Sequence, residues 1–187
     1  MPFSHVKSIM RFVHFLPAAY ALVSVLSFDR RVLSVYGLPI GPEFLNELHA
    51  IKNKVKYSLI LLWLTGFAVV VMGCLTTPDY LDNQKLWFKV SAVLILTVNG
   101  FFIHRCCDRF FKEGIVLAEL DAPMALSLNA LGVISSVSWV WACFLGSARE
   151  WSFNMAFSDM ALLYGLSLCA GGCVSFYLHQ RHVRKWS

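Results

Sequence analysis

The stretch YSLILLWLTGFAVVVMGC, residues Tyr57 to Cys74, decides the fold. It runs for 18 residues without a charge. A helix rising about 1.5 Å per residue needs roughly 20 apolar residues to cross a hydrocarbon core about 30 Å thick. The apolar residues are continuous rather than gathered on one stripe, so this is not the amphipathic helix of a soluble domain. The run stops before Thr76-Thr77-Pro78-Asp79, a turn-forming sequence.

The same pattern recurs on both sides of it. Apolar segments run from about Ile9 to Phe28, Leu86 to His104, Met124 to Leu145 (after the start signal Pro123) and Asp159 to His179. The expected fold is all-α: a polytopic transmembrane bundle of about five helices, with residues 1–187 as one domain. The first segment contains Arg11, His14 and Pro17. Its alternative is an interfacial helix, which would leave four spans. The polar stretch Glu43 to Lys56 is expected to be helical, with Pro42 at a first helical position. The basic linker Arg105 to Asp121 is expected to lie along the membrane surface.

Composition agrees. Hydrophobic residues make up 58% and charged residues 14% of the chain, against roughly 25% charged in soluble domains, and the mean hydropathy is +0.63. The formal charge of +5 does not point to nucleic acid, because the basic residues sit at the ends of apolar runs. No CxxC pair occurs among the six cysteines, which argues against a redox disulfide or zinc site. The apolar N-terminal stretch resembles a signal peptide, but cleavage before Asp29-Arg30-Arg31 is not expected.

Orientation follows from the charges. One side of a five-helix bundle receives Arg30, Arg31, Lys52, Lys54, Lys56, Arg105, Arg109, Lys112, Arg181, Arg184 and Lys185. The other receives Lys7, Arg11, Lys85, Lys89 and Arg149. By the positive-inside rule the first side is cytoplasmic. The chain then reads as a multi-pass protein of a bacterial inner membrane, in contact with lipid, with its N-terminus outside and its C-terminus inside.

His49, His104, His179 and His182 map to that cytoplasmic side. Imidazoles are good ligands for haem iron and transition metals, and helix ends can converge on one ion. His104, Cys107 and Asp108 stand at i, i+3 and i+4, hence on one helix face. Asp108 is a candidate metal ligand with His104, or a carboxylate orienting the imidazole. The competing reading is that histidines simply collect where helices meet water and lipid head groups. His49 precedes the apolar core of its helix by eight residues, roughly 12 Å, a distance that argues against its meeting His104.

Toward the other side, Lys89 stands four residues into an apolar helix, where an ionisable group has a partner, has a role, or snorkels to the interface. His14 is a candidate partner for Glu150 or Asp159. Ala161, Gly165, Cys169 and Cys173 form a small-residue stripe of the kind that packs helices closely. Asn99 and Asn129 are expected to bond across helices. Trp139 and Trp141 are two apart and so face different directions.

The segments Trp63-Leu64-Thr65-Gly66 and Lys85-Leu86-Trp87-Phe88-Lys89, with Asn99-Gly100 and His104, resemble the small bacterial membrane proteins of the copper-resistance D and HemJ-type protoporphyrinogen oxidase group. The match covers about 50 residues. It implies haem b as cofactor and functional roles for histidine and lysine, carried over here to His104 and Lys89. The family histidine two turns before W-x-x-G corresponds to Lys56, and His104 lies about one turn further from Lys89 than in the family.

Three function classes follow. The first is a haem- or metal-binding protein of oxidoreductase type, with Lys89 as the catalytic candidate, His104, His49 and His179 as cofactor ligands, and His104 with Asp108 for a transition metal. The second is a non-catalytic module that packs, as a homo-oligomer or within a larger membrane complex, or assists its assembly. The third is a small transporter or channel subunit.

Overall fold

The computed structural model describes residues 2–186, and the side chains of residues 1–4, 179 and 182–187 lie outside the description. Five long helices occupy the described chain: α1 (Pro2–Ser34), α2 (Pro42–Thr76), α3 (Gln84–Phe110), α4 (Ala122–Ser147) and α5 (Phe157–Trp186). Each contains a stretch long and apolar enough to cross a membrane. Short connections make consecutive helices antiparallel, so the chain is an all-α, five-helix membrane bundle. The helices outrun the apolar segments at several ends. Pro42 opens α2 at its first turn, and the polar stretch to Lys56 continues without a break into the apolar run.

The segment whose charges and proline raised the interfacial alternative is the centre of the packing. α1 lies between α2 and α4, and α3 closes the group by packing on α4 and, less extensively, on α2. α5 packs outside this ring against α4 and α3. Ala18, Ala21 and Val25 share one face of α1 and are buried in a cluster with Leu62 of α2, Leu96 of α3 and Trp139 of α4. Lipid supplies no hydrophobic drive between helices, so close approach of small residues is what holds them. Glycines on both neighbours admit α1: Gly66 faces the His14 ring and Gly146 the Phe15 ring, each within 3.1 Å of where a Cβ would stand.

Trp141 turns away from Trp139, as their spacing predicts. It joins Phe88, Leu145, Met160 and Tyr164 in a second cluster between α3, α4 and α5. Its indole N–H donates to Ser167 Oγ at 3.1 Å, and Ser138 and Tyr164 share a 2.7 Å hydrogen bond.

The linker after α3 differs from the surface-lying segment expected. It turns back over the end of the bundle and pairs with the α1–α2 connection: Ile40 N–H donates to Ile115 O, Gly114 N–H to Ile40 O and Ala118 N–H to Tyr36 O. Gly114 has φ +83°, a left-handed conformation that glycine adopts without steric cost. Ile40, Phe44 and Leu117 are buried beneath the pair. Phe111, Leu117 and Leu120 of the linker thus pack on protein.

Ala21 is fully buried at the closest point of α1 and its neighbours. Ala21→Leu should overpack that site and cost about 1–3 kcal/mol, measured by thermal unfolding in detergent. Gly165→Ala, where nothing stands within 4 Å of the new Cβ, should leave the transition unchanged.

Candidate intramembrane cavity and basic clusters

A cavity of about 620 Å³ occupies the half of the bundle nearest the paired loops. All five helices line it. Val25, Leu96, Val137 and Trp139 form its deep part, near mid-bundle, while Tyr36, Phe111, Leu117 and Leu120 close it under the loops. α1 and α5 both contribute wall residues but share no interface comparable to those they make with α4. Leu26 and Val174 on these two helices are 42% and 59% exposed. The cavity is therefore roofed toward water and flanked on the α1/α5 side by surface that faces lipid.

Most polar groups in the wall are already engaged. Ser136 Oγ donates to Asp29 Oδ2 at 2.6 Å, joining α4 to α1. Ser175 bonds Asn129, joining α5 to α4. Asn99, just behind the wall, donates from Nδ2 to Leu131 O at 3.0 Å. Both asparagines thus bond across helices as expected. Two groups in the wall stand apart: Trp139 is fully buried and its Nε1 donor has no partner, and the His104 ring lines the cavity. An orphaned buried donor costs about 1–3 kcal/mol, and no bulk water reaches this depth to relieve it.

The sequence-predicted ligands divide. Lys52 lines the cavity and is only 9% exposed, and its ammonium meets Asp108 Oδ1 at 2.5 Å. Asp108 is thus held by a lysine of α2, and it stays within electrostatic range of His104. His49 lies within electrostatic reach of Asp108 but is exposed and is not part of the cavity wall. The side chain of His179 lies outside the described residues. Among the described residues, no three His, Cys, Asp or Glu side chains converge as a metal site.

Lys89 belongs to a different place. Fifteen residues separate it from His104 along α3, about 22 Å, so the two do not form one site. It lies in the half of the bundle where Arg11, Lys85 and His14 also stand: Arg11 and Lys85 are in electrostatic range of Lys89 and of each other, and His14 is in range of Lys89. His14 pairs with neither Glu150 nor Asp159. Its Nδ1 hydrogen-bonds Thr65 Oγ1 at 2.8 Å, seating it beside Gly66 of the W-x-x-G motif. The nearby Tyr80 phenol is pushed above its ordinary pKa by burial, against the opposing pull of Arg11. On α5, Ala161 of the small-residue stripe packs on the cluster around Trp141, whereas Cys169 and Cys173 are exposed and nothing stands within 4 Å of a Cβ at Gly165, so the rest of the stripe does not pack closely within this bundle.

Asp29, Trp139 and the His14–Thr65 pair were not singled out as site residues from sequence. A carboxylate five residues before the end of α1 is itself a signal for Asp29, whereas nothing in the sequence distinguishes the wall-lining tryptophan from Trp141.

These features define the class: a five-helix polytopic membrane protein with an internal, lipid-flanked cavity. No family model, curated protein or solved structure matches the chain.

The Lys52–Asp108 pair has one buried and one 63% exposed partner, so solvent screens it. Asp108→Asn should cost about 1 kcal/mol in thermal unfolding, more than a surface pair but short of a fully buried one. The double variant Lys52→Met/Asp108→Asn should recover most of that loss.

Proposed function

We propose that the chain binds a lipid-like amphiphile in its intramembrane cavity, taken up from the bilayer between α1 and α5. The observation that carries this reading is the mostly apolar cavity that all five helices line, with His104 in its wall and Trp139, whose buried N–H has no partner, packed at its deep end. The volume, about 620 Å³, lies within the range of roughly 300–1,000 Å³ typical of small-molecule sites. An acyl or prenyl chain fills the deep part. His104, which lines the cavity, offers a hydrogen-bonding group to a carbonyl, hydroxyl or ether oxygen of the amphiphile.

Haem b in an oxidoreductase is the second reading, supported by the place of His104 in the cavity wall and by the HemJ-like resemblance. The described residues do not fit a bis-histidine site, since His104 is the one imidazole among them that lines the cavity. The exposed stripe on α5 supports association with a second copy or a larger complex. No observation favours a transport pathway, because Asn99 and Asn129 are engaged between helices.

The protein should carry a stoichiometric amphiphile through purification and detergent exchange, detected by native mass spectrometry and by extraction with chromatography. Gly132 lines the cavity and has open space at its Cβ position, so Gly132→Phe should fill the cavity and abolish retention. Absence of a retained amphiphile from the wild type, or equal retention by the variant, would count against the reading. An optical spectrum of the same sample tests haem: a Soret band lost in His104→Ala would favour the second reading instead.

We also place the chain in a bacterial inner membrane with the paired-loop end cytoplasmic, on the charge bias alone. In a cysteine-free background, Asn53→Cys should then label only from the cytoplasm and Asn154→Cys only from outside. The reverse pattern would invert the orientation.

A further inference from the structure

We infer that Arg11, Lys85 and Lys89 form a binding site for an oxyanion, the phosphate of an anionic amphiphile, at the end of the bundle opposite the paired loops. Two helices supply it. Arg11 comes from α1, and Lys85 and Lys89 stand one turn apart on the same face of α3. Lys85 is 4% exposed, and its ammonium is held on the carbonyl of Ala148 at the end of α4. That bond fixes the position of a positive charge but does not neutralise it.

Lys89 is half-buried within a membrane-spanning segment and makes no hydrogen bond or ion pair among the described residues. The charges acting on it are those of Lys85 and Arg11, both repulsive. His14 also lies nearby, but its ring is committed to Thr65. Both lysines stand in the first two turns of α3, where the helix dipole adds positive potential. Charges inside a membrane protein are ordinarily paired. Here three basic groups act on one another and none of them is ion-paired to a carboxylate among the described residues, so the missing partner is an anion supplied from outside the bundle. The depth of Lys89 fits a group carried at the membrane interface, and a lipid phosphate diester provides one, accepting hydrogen bonds from an ammonium and a guanidinium together.

The test uses the full-length protein, delipidated in neutral detergent and titrated by native mass spectrometry with phosphatidylglycerol, phosphatidylcholine or inorganic phosphate. Wild type should bind one phosphatidylglycerol at least about tenfold more tightly than phosphatidylcholine, and Lys89→Gln should weaken it by about tenfold, the scale of one charge-assisted contact. Lys89→Arg should retain binding, and Lys56→Gln, at the opposite end, should leave it unchanged. Gly132→Phe should also leave it unchanged, which separates this site from the cavity. If inorganic phosphate displaces the lipid in a Lys89-dependent way, the site takes the free oxyanion as well; without displacement, the site requires the lipid. Failure of the wild type to discriminate between the lipids, or wild-type affinity in Lys89→Gln with an unchanged melting transition, would overturn the assignment.

Discussion

The seating of α1 against α2 and α4, with Ala18 and Ala21 beside the Trp139 ring, is the contact on which the remaining structure depends. Helices already in lipid gain nothing from hiding apolar surface, so association rests on close packing and interhelical hydrogen bonds. A methyl at Ala21 leaves room for an indole, and Gly66 and Gly146 let the adjoining rings of α1 settle on its neighbours. This central position sets one wall of the cavity, through Val25 and Asp29. It also brings the α1–α2 connection under the linker that follows α3, where three backbone hydrogen bonds join them.

Polar groups inside the bundle act mostly as links between helices. His14 with Thr65 ties α1 to α2, Trp63 with Thr97 ties α2 to α3, Asn99 with Leu131 ties α3 to α4, and Ser175 with Asn129 ties α5 to α4. In hydrocarbon the alternative to each bond is an unsatisfied group, so these contacts select one arrangement of faces. Against that background the exceptions are informative. Asn99 Oδ1 and the Trp139 donor have no partner among the described residues, and beside these buried atoms of the cavity end stands the Lys89 ammonium among other cations at the opposite end.

Trp139 and Lys89 lie in opposite halves of the membrane. One sits in an apolar cavity and lacks an acceptor; the other sits among basic groups and lacks an anion. The chemistry they ask for differs accordingly, and the roughly 22 Å between His104 and Lys89 along α3 separates the two ends physically.

The sequence by itself determined the helices and their order. Uninterrupted apolar runs of membrane-spanning length have no other stable form in lipid, because every backbone amide must be paired within the segment. It also marked Lys89 and His104, since an ionisable group at the edge or interior of such a run stands out against its neighbours. What only the tertiary structure decided is which faces meet. Helices that are apolar all round carry no stripe to say which side is inward, so Trp139 and Trp141 look alike in sequence yet enter different clusters. The charges and Pro17 of α1 suggested an edge, whereas its alanines placed it at the centre. The cavity, the capture of Asp108 by Lys52 and the pairing of His14 with Thr65 depend on residues distant in the chain, whose approach is set by side-chain packing rather than by local periodicity.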